Sequence, residues 1–175
     1  MKQETRRKIK EIVLWLVAFV GVFGGYYMMD TQVIGRAEVD GTSMVPTYHD
    51  QDRTVFSRLK EPEHGDIVIF MMREIPIIKR VIAIEGDTIE IRNGVVYLNG
   101  SALDEPYITE YWTNGGCIDD KPLTLKKGEY FLMGDNRNVS HDSRAEGVFT
   151  KEDYVGTVMM NLKLSPESTI KSQME

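Results

Sequence analysis

The sequence predicts a mainly β domain behind a single apolar N-terminal helix. Three observations predict it. Residues 12–29, IVLWLVAFVGVFGGYYMM, carry no charge and follow a basic start. Beyond residue 30 the helical period gives way to short runs rich in Val, Ile, Phe and Tyr, set apart by turn residues. Asn93-Gly94 lies between two alternating segments, a strong hairpin signal.

The apolar stretch comes first. As a helix it rises about 27 Å, close to the roughly 30 Å of a bilayer's hydrocarbon core. Trp15 near its start and Tyr26 and Tyr27 near its end suit the membrane interfaces. Lys2, Arg6, Arg7, Lys8 and Lys10 against Glu4 and Glu11 give residues 1–11 a net charge of +3, so of the chain's −6 the remainder carries −9. The basic flank places the N-terminus in the cytoplasm and the body outside. A cleavable targeting segment shares the basic-then-apolar layout, but Tyr26-Tyr27-Met28-Met29-Asp30 lacks a small-x-small exit. A buried core helix is the other alternative; length favours an uncleaved anchor.

In the body, strands are predicted at DIVIFMM (66–72), at 77–84 around Lys79, in TIEIRNGVVYLNG (88–100), in EYFLMG (129–134) and in YVGTVMMNLKL (154–164). Residues 101–127 differ, with Pro, Asp and Gly and the isolated aromatics Tyr107, Tyr111 and Trp112. The expected organisation is a cytoplasmic segment (1–11), a transmembrane anchor (12–29), an extracytoplasmic domain (30–165) with a smaller insert at about 93–127, and a polar tail (166–175).

Composition narrows the chemistry. The acidic balance argues against a nucleic-acid partner. The single cysteine, Cys117, allows no intrachain disulfide and sits in NGGCIDD without a basic neighbour to activate it. One cysteine with His49, His64 and His141 matches no zinc-ligand spacing, so no metal and no cofactor are expected.

Three segments carry chemical promise. Ser43 lies in GTSMVPT (41–47), where Gly41 permits close backbone approach and Pro46 stiffens the turn. Serine needs a base in hydrogen-bond reach to act as a nucleophile. Its backbone N–H could also face a developing oxyanion. Lys79 lies in the apolar run IPIIKRVIAI (75–84). At strand period it shares a face with Ile77, Val81 and Ala83, where desolvation lowers an ammonium pKa and yields a neutral base. The plain alternatives are an ordinary turn serine and an edge lysine reaching for water. The third segment is GDNRNVSHDSR (134–144). His141 beside Asp142 is the best candidate for a histidine base, yet Ser140, His141 and Asp142 are adjacent in one loop, which by itself does not make a triad. The Asn138-Val139-Ser140 sequon is read as chance.

Taken in order, the apolar helix, GTSMVPT, GDIVIF (65–70), KRVIAIEGDTI (79–89) and GDNRNVSHDSR resemble the bacterial type I signal peptidase (leader peptidase) family, in its single-anchor, Gram-positive-like form. The match spans nearly the whole chain. It implies a β-rich catalytic domain with a smaller insert, and a membrane-anchored serine endopeptidase that removes signal peptides from exported preproteins after small residues. Ser43 is then the nucleophile and Lys79 the general base. Ser140 orients the amine, Asp142 and Arg144 stiffen the site, Gly134, Asp135, Asn136 and Arg137 form a turn beneath it, and Met44 lines the pocket. The implied partners are signal peptides, the lipid bilayer and the secretion translocon, with no cofactor.

Two positions depart from the pattern. Some members carry an oxyanion-hole serine where this chain has Gly41, and many carry proline where it has Glu85. Lys79, where eukaryotic-type relatives use histidine, points to the bacterial class. A self-cleaving repressor-type protease would need an N-terminal DNA-binding module in place of the apolar stretch. A peptidase dedicated to one exported substrate, such as a pilin, and a catalytically inactive anchored binding module are the remaining alternatives.

Overall fold

A computed structural model describes residues 2–162 apart from 114, 115 and 117–120, with side chains undescribed at 2–6, 9 and 26–32. Cys117 and the polar tail lie outside the described residues. Helix α1 (Lys2–Val33) begins before the predicted apolar stretch and ends after it. Its apolar side chains stand in the open, Trp15 at 76% and Leu14 at 70% exposure. That removes the buried-core-helix alternative. Among the described residues no helix is long and apolar enough to cross a membrane; the stretch 12–29 ends in residues whose side chains are not described.

The strands are β1 (Ile34–Glu38), β2 (Arg53–Ser57), β3 (Ile67–Met72), β4 (Ile75–Ala83), β5 (Thr88–Arg92), β6 (Val95–Leu98), β7 (Ser101–Ala102), β8 (Leu123–Thr124), β9 (Glu129–Met133), β10 (Phe149–Thr150) and β11 (Tyr154–Leu162). Among the described residues after α1, a single short helix, α2 (Ser143–Glu146), interrupts them, besides 3-10 turns. A seven-stranded sheet runs β1-β2-β11-β3-β4-β9-β10 and a four-stranded sheet β7-β6-β5-β8. All pairings are antiparallel. The insert expected at about 93–127 overlaps the smaller sheet, whose first strand starts at Thr88.

Burial explains the layout. β3 reads as an unbroken apolar run because Ile67 to Phe70 are all buried. Phe70 meets Tyr130, Phe149 and Tyr154 at ring separations of 5.4, 5.9 and 5.4 Å. A second cluster joins Ile82, Ala83, Phe131 and Met133 of the large sheet to Ile89, Ile91 and Val96 of the small one. β4 pairs with β3 over 75–80 but with β9 only from Arg80 onward. Among the described residues its other edge is therefore left open over 75–79.

The turns follow the predicted chemistry in two cases. Asn93 and Gly94, at φ 50° and 76°, join Arg92 to Val95. Asn99 and Gly100, at 54° and 82°, join Leu98 to Ser101. A third such turn, between Met72 and Ile75, places Arg73 and Glu74 at φ 49° and 70°. Left-handed backbone costs an ordinary residue roughly 1–2 kcal/mol. Glu74→Gly is accordingly expected to stabilise the domain by about 1 kcal/mol, read as a higher urea midpoint at unchanged slope. An unchanged or lower midpoint contradicts this.

Candidate active site

The turn carrying Ser43 follows β1 and is pinned from both sides. Met44 is fully buried among Val39, Tyr48 and Ile67 and anchors the turn to the sheet. Backbone bonds from Val39 N–H to the Asp52 carbonyl and from Gln51 N–H to the Val39 carbonyl, both 2.8 Å, close the loop behind it. From the other side, Asn136 N–H donates to the Ser43 carbonyl at 3.0 Å. That approach requires Gly134: a Cβ there would lie 2.5 Å from the Ser43 carbonyl oxygen and collide with Ser140 Oγ. The GDNR turn and the Ser43 turn can meet because one of them has no side chain at the crossing.

Lys79 lies on β4 opposite Val68 of β3. Its side chain is buried, and its Nζ sits 2.8 Å from Ser43 Oγ and 3.0 Å from the Ile78 carbonyl, to which it donates. Burial lowers its pKa from 10.5 to about 8; the charges of Asp142 and Asp135 oppose the fall and that of Arg144 favours it. A useful fraction of the amine is therefore neutral near neutral pH. A neutral amine 2.8 Å from a hydroxyl can take its proton.

Beneath Ser43 and Lys79 lies a set of buried charges in matched pairs. Asp142, fully buried, caps α2 by accepting from Arg144 N–H. It also receives the Arg144 fork through Nε and Nη2, both at 2.9 Å, and the Gly134 N–H at 3.0 Å. Burial alone would raise its pKa, but these donors hold it below the usual carboxylate range, so it stays ionised. Asp135 takes the Arg80 fork at 2.8 and 2.6 Å and the Thr47 hydroxyl. Arg137 bonds the Gly134 carbonyl and Glu105. The paired charges fix the turn and keep net charge near the lysine small.

The other implied residues fall as follows. Ser140 Oγ is buried against Gly134 and near Asp142, and among the described residues it makes no hydrogen bond to the Lys79 amine of the kind the resemblance implies. Met44 belongs to the core and does not line the cleft beside the dyad. That cleft, about 380 Å³, is lined by Ser43 and Lys79, by Glu38, Val39 and Asp40 after β1, and by 75–78 of β4. Gly41 is at φ 84° and its N–H is engaged by Asp50 Oδ1 at 2.8 Å. Among the described residues nothing accepts from the Ser43 N–H, which leaves it available to an oxyanion. His141 bonds Glu146 and His64 bonds Asp87, both half-exposed; no hydrogen bond links either to Ser43. Among the described residues there is no cluster able to hold a metal. Sequence reasoning missed Thr47, Arg80 and Asp50 as parts of the site. Arg80, next to Lys79 on the opposite strand face, was the one carrying a signal.

Comparison with known proteins gives the family. Residues 9–162 match the family described as signal peptidase, peptidase S26. The chain is 34% identical over 169 residues to Signal peptidase I S of Bacillus subtilis, covering 90% of this chain and 92% of that protein. It is 31% identical over 168 residues to Signal peptidase IB of Staphylococcus aureus, covering 85% and 88%. Among solved structures, a signal peptidase I from Enterococcus faecalis is similar at a TM-score of 0.48 and 30% identity, over 57% of this chain and 98% of that one.

Proposed function

The chain belongs to the signal peptidase, peptidase S26, family and is a serine endopeptidase; from that premise we propose that it frees exported preproteins of their signal peptides with a Ser43–Lys79 dyad, cutting after small residues while held at the membrane by residues 12–29. The observation that carries this reading is the buried Lys79 amine 2.8 Å from Ser43 Oγ at the wall of an open cleft.

The chemistry proceeds in steps. Neutral Lys79 takes the Ser43 proton as Oγ attacks the scissile carbonyl. The Ser43 N–H faces the oxygen that gains charge. The resulting ammonium returns its proton to the leaving amine, and an acyl-enzyme remains. Lys79, neutral again, activates a water to release the signal peptide. The substrate adds as a strand along the open edge of 75–79, main chain against main chain, with alternate side chains entering the cleft. The exposed apolar side chains of α1, among them Trp15, Phe19 and Phe23, support a role in lipid. In this reading 1–11 stay in the cytoplasm, 30–165 form the catalytic body outside, and anchoring confines enzyme and preprotein to one surface.

The test is cleavage of a preprotein by the full chain in detergent or liposomes. The mature product is expected to begin directly after a small residue. Only the neutral amine acts, so kcat/KM should rise about tenfold per pH unit on the acid side, level off above about pH 8, and at pH 7 stand near one-tenth of its plateau. No cleavage at any pH, or a profile flat from roughly pH 6 to 9, would contradict the proposal.

A further inference from the structure

Three arginines stand behind the dyad, and two aromatic side chains from the segment before residue 113 lie on them. The Arg80 guanidinium is 3.8 Å from the Tyr107 ring centroid. Those of Arg137 and Arg144 are 4.8 and 5.2 Å from the Trp112 indole. Trp112 is 5% exposed and joins the core between the two sheets, against Ile89, Ile91 and Val96 on one side and Ile82 and Met133 on the other. Its carbonyl is seated on the Asn93-Gly94 turn so closely that a Cβ at Gly94 would overlap it. A rigid aromatic from outside the catalytic motifs is thus pressed onto guanidiniums that belong to them.

We propose that Trp112 is a positioning residue for the dyad: its indole, held by the small sheet, fixes the Arg144 and Arg137 guanidiniums and thereby sets the Asp142–Arg144 pair that faces Lys79. The inference rests on the Ser–Lys reading. An indole face attracts a guanidinium and excludes water from it. Arg144 so held keeps both fork bonds to Asp142. Val68 faces Lys79 from β3. The 134–144 segment contributes the charges that reach the amine: Asp142 and Asp135, which favour the ammonium, and Arg144, which favours the neutral form. Freeing Arg144 to turn toward water leaves Asp142 less neutralised. The ammonium gains, and less base is available at a given pH.

The experiment compares pH profiles of kcat/KM for preprotein cleavage by the full chain in detergent, as wild type, Trp112→Leu and Trp112→Phe, with thermal melting alongside. Leucine keeps apolar bulk and removes the π face; phenylalanine keeps a smaller one. The acid limb is expected to move to higher pH by roughly half a unit to one unit in Trp112→Leu, and by less in Trp112→Phe. A lower rate with an unmoved limb, an acid-ward move, or equal shifts in the two variants overturns the proposal, since simple loosening lowers rate and melting temperature without that order. If Trp112→Leu does not fold, Trp112→Phe decides: an alkaline shift supports the proposal and an unmoved limb overturns it. Ser43→Ala is run under the same conditions; cleavage by that variant would sink the dyad reading, whereas a silent Ser43→Ala with unmoved limbs sinks only the role of Trp112.

Discussion

Ser43→Ala and Lys79→Arg are each expected to lose preprotein cleavage by about 10⁴-fold or more in kcat/KM, with the fold retained. Among the described residues the serine supplies the one hydroxyl bonded to the lysine amine. The arginine variant is the sharper of the two. It keeps a positive, hydrogen-bonding side chain on β4, but a guanidinium stays charged at any working pH and cannot accept a proton. A charge kept where a base is needed separates catalysis from electrostatics. Lys79→Ala should be equally inactive and no less stable, because it removes a buried amine whose charged form is penalised by desolvation. Activity above roughly 1% of wild type in either Ser43→Ala or Lys79→Arg, shown by melting to be folded, would contradict the dyad.

Asp142→Ala is expected to cost about 3–5 kcal/mol of stability, which for a domain of this size lowers the melting temperature by roughly 10 °C. The loss follows from what the carboxylate serves. It pairs with a buried guanidinium, accepts the Gly134 N–H at the crossing with the Ser43 turn, and caps α2. Removing it takes the carboxylate partner from an Arg144 side chain that is only 5% exposed. Activity falls too, since Gly134 and Asn136 hold the nucleophile turn in register. A double change, Asp142→Ala with Arg144→Leu, should recover part of the stability by removing the buried guanidinium that has lost its carboxylate. A single variant that melts within about 2 °C of wild type would show that the pair bears little weight.

Much of the fold was legible because its strands are either fully buried or punctuated by residues with a turn preference. β3 and β9 read as apolar runs, and Asn93-Gly94 and Asn99-Gly100 marked their own hairpins. β1 and β2 were not legible. IGRAE has one face in solvent, RTVFS buries the polar Thr54 and Ser57 beside Phe56, and only their mutual pairing and that of β2 with β11 give them strand character. The Arg73-Glu74 turn was hidden because it adopts the left-handed geometry without the residues that favour it. The site divides in the same way. Ser43 and Lys79 stood out because a serine in a Gly- and Pro-framed turn and a lysine in an apolar strand are each costly or constrained placements. The contribution of Trp112 was out of reach, since its contact with Arg137 and Arg144 joins elements far apart in the chain. The inward direction of Met44, packed with Val39, Tyr48 and Ile67, was hidden for a related reason: adjacency to Ser43 in sequence says nothing about which way a side chain turns at a bend.

The most direct measurement of the central claim is an NMR titration of the Lys79 side chain in the folded full-length protein, followed at the carbon next to Nζ. A midpoint near 8 is the expected result, and it should coincide with the acid limb of the cleavage profile. A midpoint at the ordinary lysine value of 10.5 would contradict the claim that burial turns this residue into the base for Ser43.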